Sequence, residues 1–183
     1  MKELGVLNYC MGISVSSSSS SYVLSQHKYA SEILAKAGMS DCKSYASPMA
    51  TKVVSSDSAD SHFSQPSLYR SLVGVFQYLT LTQPDLSFSI NHLCQFLQNP
   101  LQSHFTALKR LFRYVKATLS HGLHFTSGPL VLNAFSDSDW AGNVIDRRSA
   151  TGYCVFLGPN LVSWCARSNP QSLDHLQKQN TEL

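Results

Sequence analysis

A chain of 183 residues is long enough to bury a sizeable core, as one domain or as two small ones. With 43% hydrophobic residues, a mean hydropathy of −0.09 and no apolar run near the roughly 18–20 residues of a membrane span, it reads as soluble and globular. The start lacks the basic, apolar and small-residue succession of a secretory signal, so an intracellular, reducing location is expected; a net charge of +3 is too small to establish a nucleic-acid partner by itself.

Five cysteines, Cys10, Cys42, Cys94, Cys154 and Cys165, are an odd number without a CxxC pair. They fit neither a disulfide framework nor a zinc site, and buried free thiols are expected for most of them. The opening stretch places Leu7, Cys10, Met11, Ile13 and Val15 in an apolar patch, followed by six serines from Ser16 to Ser21. Such a run cannot pack and reads as a hairpin turn or loop, with SYVLSQ as the return strand. Tyr29, Ile33 and Leu34 then fall at helical spacing over 27–37, with Gly38 placed to cap the helix. Residues 39–66, rich in Ser, Asp and Ala, lack periodicity and read as a loop.

Three helical segments follow. The first carries Leu68, Leu72, Val75, Phe76 and Leu79 on one face. The second opens at Pro84 and places Leu86, Ile90, Leu93, Cys94 and Leu97 inward as far as Asn99-Pro100. The third aligns Phe105, Leu108, Leu111, Phe112, Val115 and Leu119. Short connections between the three imply a small bundle. Beyond His121-Gly122 the period changes to two, with Leu130, Leu132 and Ala134 alternating against Val131, Asn133 and Phe135. SATGYCVFLG and LVSWCA, separated by Gly158-Pro159-Asn160, complete a three-strand antiparallel meander.

Asp137 and Asp139, in FSDSDWAG, stand after the first strand of that meander. Carboxylates fixed at the end of a buried strand suit a divalent metal that wants hard oxygen ligands, whereas an Asp-Ser-Asp turn that merely ends a strand is ordinary turn chemistry. Lys109, Arg113 and Lys116, with Arg110 beside them, make a basic stripe opposite the apolar face of the third helix. The stripe is either a phosphate contact or a solvated helix face. The same two readings apply to Arg147 and Arg148 in the first hairpin loop of the meander. The seven histidines show no metal-ligand spacing and are expected at the surface or at helix ends.

Several of these strings, taken in order, resemble the copia-type retrotransposon polyproteins: MKELGVLNYCMGI, YVLSQHKYASEILAKAGMSDCKSYASPM, YRSLVGVFQYLTLTQPDLSFSINHLCQF, ALKRLFRYVKATLSHGL, SDSDWAG, DRRSATGYCVFLG and LVSWCAR. Coverage runs from Met1 to about Arg167. The resemblance implies the end of a reverse transcriptase palm and a linker over 1–66, a helical thumb-like or connection region over 67–122, and a truncated RNase H-like domain over 123–183. The fold class so expected is α+β: a β-hairpin plus helix, three helices, and an incomplete RNase H-like antiparallel meander.

Two departures from the family bear on chemistry. The paired polymerase aspartates of a YVDD-like motif are absent, so no two-metal site for nucleotidyl transfer is expected. The tail reads ARSNPQSLDHLQKQNTEL where the family typically reads ARKQPTVSRSSTEAEYRAL. Deleting one A from the lysine codon of a suitably chosen coding string for RKQPTVSRSSTEAEYRA yields RSNPQSLDHLQKQNTEL, which matches Arg167–Leu183. On that frameshift reading the family's RNase H glutamate falls at Asn180, a poorer Mg²⁺ ligand. Asp137 is then the one family metal ligand left, with Asp139 its weaker neighbour. Mg²⁺ belongs to the intact family, and no functional metal is expected here. The expected function is therefore that of a degenerate, catalytically inactive transposon remnant. Its rivals are a residual module binding an RNA/DNA hybrid through Lys109, Arg113, Lys116, Arg147 and Arg148, and an enzyme part that needs a separately encoded polymerase half.

Overall fold

The computed structural model describes residues 8–50, 60–138 and 149–169. Its architecture is mixed α+β, with four helices and two antiparallel sheets. The first sheet takes its strands from distant parts of the chain: β1 (Tyr9–Cys10), β2 (Ile13–Ser17), β3 (Ser21–Ser25) and β4 (Gly122–Thr126), in that spatial order. The serine run does form the turn between β2 and β3, closed by a Ser18 to Ser21 backbone hydrogen bond of 2.8 Å. An earlier turn interrupts the apolar patch before it, because Met11 and Gly12 both adopt positive φ, 49° and 73°.

Helix α1 (His27–Lys36) buries Ala30, Ile33 and Leu34. It ends where Gly38 takes φ 65°, with Gly38 N–H donating to Ala35 and Met39 N–H to Leu34. This is a Schellman end, which satisfies carbonyls that the last turn would otherwise leave without donors. Helix α2 (Pro66–Leu79) begins on its proline, whose missing N–H costs nothing in a first turn. Its buried stripe is Tyr69, Val73, Phe76 and Leu79, so the face expected from Leu68 is rotated by one residue and Leu68 is exposed. Tyr69 can occupy the core because its hydroxyl donates to the Leu93 carbonyl at 2.9 Å.

The helix expected from Pro84 to Asn99 is shorter. A single 3₁₀ turn (Pro84–Leu86) leads into α3 (Ser87–Cys94), and beyond Cys94 the bonds tighten to i→i−3 at Gln95, Phe96 and Leu97. Phe96 there stacks on His104, with ring centroids 3.6 Å apart, which turns the chain toward α4. Helix α4 (Gln102–Ala117) buries Leu108, Leu111, Phe112 and Val115, as its periodicity predicts. Each such side chain contributes about 1.5–3 kcal/mol on burial. These residues, with Phe76 edge-on to Phe112 at 4.5 Å, centre a core drawn from α1 to α4 and the Pro84–Leu86 turn.

Strand β4 pairs with β3 from Ser21↔Thr126 to Ser25↔Gly122. The expected 122/123 division falls within β4, after its first residue. Gly122 is needed there: a Cβ would sit 2.3 Å from the Leu24 carbonyl oxygen. The second sheet has the order β5 (Leu132–Ser138), β6 (Ser149–Leu157), β7 (Asn160–Asn169), which is the expected meander. It meets the helices through Asn91 Nδ2, which donates to the Ala166 carbonyl at 2.9 Å, and Trp164 Nε1, which donates to Thr80 at 3.1 Å. It meets the first sheet where Asn160 both accepts from and donates to the Thr126 backbone. The cysteine expectation needs correction: all five are free, but Cys10 is exposed on a two-residue edge strand and the other four are half-buried. Among the described residues no helix is long and apolar enough to cross a membrane.

Candidate functional site

The apolar stripe of α4 fixes where its cations go. Turning Leu108, Leu111, Phe112 and Val115 into the core puts Lys109, Arg110, Arg113 and Lys116 on the outer side. The structure brings three of these against the segment after α1, two of them onto one aromatic ring. The Arg113 guanidinium lies 4.0 Å and that of Arg110 4.8 Å from the Tyr45 ring centroid. Arg113 Nε donates to the Lys43 carbonyl at 2.7 Å, Arg110 Nε to Ser47 at 3.1 Å, and Lys116 Nζ to Ser40. Tyr45 N–H in turn donates to the Arg113 carbonyl at 3.1 Å. Residues 40–47 thus form a strap across α4, held by cation–π contacts and charge-assisted hydrogen bonds. Lys109 stands apart and exposed, its ammonium 4.7 Å from the Phe105 ring centroid. Arg147 and Arg148 lie outside the described residues.

Asp137 is not beyond the first meander strand but within it, and that strand is not buried: every residue of β5 is exposed. Among the described residues β5 pairs with β6 alone. Asp137 pairs with Gly152, which pairs with Ala166, so neither neighbouring strand offers a side-chain oxygen beside it. Asp137 is the only carboxylate of the second sheet among the described residues, and no group of three or more His, Cys, Asp or Glu there is placed to hold a metal. A Mg²⁺ ion needs several hard oxygen donors, and the described residues do not supply them at Asp137. Asp139, its expected partner, lies outside the described residues.

Periodicity gave no signal for Tyr45; its only mark is that, with Phe63, it is one of two aromatic rings of Tyr, Phe or Trp in the serine-rich loop of 39–66. Another pair that went unnoticed joins Tyr114 of α4 to Asp85 of the 3₁₀ turn, with a 2.6 Å hydrogen bond from hydroxyl to carboxylate. Burial, and then the hydrogen bond and negative charge of Asp85, push the Tyr114 hydroxyl up to about 12. The hydroxyl stays a donor and ties the turn to α4. At the other end of α4, His104 Nδ1 accepts the Leu101 N–H at 3.0 Å, and Ser103 N–H donates to Asp60 at 3.2 Å. Burial holds the imidazoles of both His104 and His92 below their ordinary range.

Known proteins give this arrangement its context. The chain is 47% identical over 171 residues, 93% of its length, to an uncharacterized mitochondrial protein of Arabidopsis thaliana, of which it covers 71%. It is 39% identical over 91% of its length to the retrovirus-related Pol polyprotein from transposon RE2 of the same plant, and 28% identical over 90% to that from transposon TNT 1-94 of Nicotiana tabacum. The chain belongs to the family of copia-type retrotransposon Pol polyproteins. It spans 12% and 13% of the RE2 and TNT 1-94 polyproteins. No family model matches the chain, and no solved structure gives a significant match.

Proposed function

We propose that this chain is a degenerate fragment of a retrotransposon Pol polyprotein, a packed scaffold without a nucleotidyl-transfer or RNA-cleaving centre of its own. On this reading residues 1–66 derive from the end of the reverse transcriptase palm and its linker, 67–122 from the helical thumb-like or connection region, and 123–183 from the opening of an RNase H-like domain.

The observation that carries the proposal is that, among the described residues, Asp137 has no second carboxylate in its sheet and sits on an exposed strand, across from Gly152 and Ala166. Two-metal phosphoryl chemistry uses a cluster of carboxylates to hold both ions. The test is incubation of the purified chain with an RNA/DNA hybrid and Mg²⁺ or Mn²⁺. No cleavage is expected; cleavage that Asp137→Asn abolishes overturns the proposal. The frameshift reading of Arg167–Leu183 has its own test in the encoding DNA, which one frame over should continue as ARKQPTVSRSSTEAEYRAL-like sequence.

A nucleic-acid-binding role is the weaker reading, because Arg110, Arg113 and Lys116 donate to carbonyls of the chain's own strap. Phosphate contacts weaken steeply with salt, so hybrid binding lost between low and moderate salt and dependent on Lys109 would favour it.

A further inference from the structure

Among the described residues no strand pairs with the outer edge of β5. That edge is thinly protected: Leu132–Ser138 contains no proline, no lysine and no bulge, and its one charge is Asp137 near one end. The apolar side chains around it are open to solvent, with Leu130 85%, Val131 53%, Leu132 69% and Phe135 61% exposed. We propose that the outer edge of β5 is a self-association surface, on which a second copy of this chain adds its own β5 antiparallel about a two-fold axis at Phe135, giving a continuous six-stranded sheet.

The occupant and the register both follow from the strand's own sequence. A two-fold axis perpendicular to the sheet preserves its faces, so opposed residues must have the same parity. Centred on Phe135, all seven residues pair: Leu132 with Ser138, Asn133 with Asp137, and Ala134 with Ser136 of the other copy. The one charge of the strand then meets an amide that can donate to it. Centring on Asp137 opposes two carboxylates, which is destabilising. Centring on Ala134 or Ser136 sets Asp137 against Val131 or Phe135, neither of which offers a side-chain donor. At the preferred centre the two Phe135 rings meet across the axis, each already edge-on to its own Phe156 at 6.1 Å. The surface is separate from the α4 strap and does not depend on the loss of catalysis.

Sedimentation of the full chain over a concentration series tests the pairing. The expected result is a monomer–dimer equilibrium. Ala134→Lys/Ser136→Lys places lysines opposite lysines at both pairs and should shift the species to monomer. Ala134→Lys/Ser136→Glu opposes lysine to glutamate and should restore the dimer. All the changed side chains are exposed, and unchanged circular dichroism shows that each variant folds. A monomer at every concentration, a dimer that the double lysine variant leaves intact, equal effects of the two variants, or open-ended aggregates would each overturn the proposal.

Discussion

At the scale of single residues, Arg113 shows how a side chain's position can be plain in the sequence while its partner within the fold is not. Its spacing on α4 is plain in the sequence, and the helix does carry it outward. Its partner is not plain, because Tyr45 lies 68 positions earlier in a loop without period, and only the folded chain sets their stacking distance of 4.0 Å. Arg113→Ala should therefore destabilise the protein by about 1.5–3 kcal/mol, the range for hydrogen bonds involving a charged group, and expose residues 40–47 to protease. Arg113→Lys should recover little of this, since an ammonium lacks the planar fork that stacks and donates at once. Urea denaturation and limited proteolysis of the two variants check both statements. If Arg113 served only a phosphate backbone, its removal would leave stability unchanged.

At the scale of elements, the long α4 was legible and the short strand β4 was not. Sixteen residues of α4 give several turns over which an apolar stripe repeats, whereas the five of β4 offer too few alternations to stand out. The rotation of the α2 stripe was hidden for a related reason: Tyr69 counts as half-polar in a pattern, yet its hydroxyl finds Leu93 and the ring is fully buried. Gly122→Ala tests β4 directly. With 2.3 Å between its Cβ and the Leu24 oxygen, β3 and β4 must move apart, and a loss of about 1–3 kcal/mol is expected in thermal or chemical denaturation, as for other overpacked sites.

The start of α4 carries a second test at the same scale. Burial disfavours the charged form of His104 and His92; of the charged and titratable groups around His104, Asp60 acts the other way and His92 adds to the effect. The unfolded chain consequently binds more protons than the folded one below about pH 6.5, the ordinary imidazole value, and stability is lost as pH falls through that region. His104→Gln keeps an acceptor for the Leu101 N–H without a titrating ring, so its urea midpoint should fall less between pH 7.5 and 5.5 than that of the parent.

For the molecule as a whole, the core cluster runs from Ala30 to Val115 and takes no residue from the second sheet. The second sheet is joined to the rest by hydrogen bonds at Asn91, Trp164 and Asn160. Local opening follows buried apolar contact, so amides of β5–β7 should exchange with deuterium faster than those of α2 and α4, and Asn160→Ala should widen the gap. Equal protection of both regions would mean that the two unfold as one unit. The division of the chain into a helical part and a meander was visible in the switch of period near residue 122; the strand carried back from that point to β3 was not, since nothing local announces a partner so far away.

That strand has a consequence for synthesis. Ser21 pairs with Thr126 and Ser25 with Gly122, so β3 leaves the ribosome roughly a hundred residues before its neighbour exists. At about 5–20 residues per second, the nascent hairpin waits on the order of 5–20 s with one side unmatched. Translation speed across the intervening helices thus sets how long the newborn chain is open to wrong pairing.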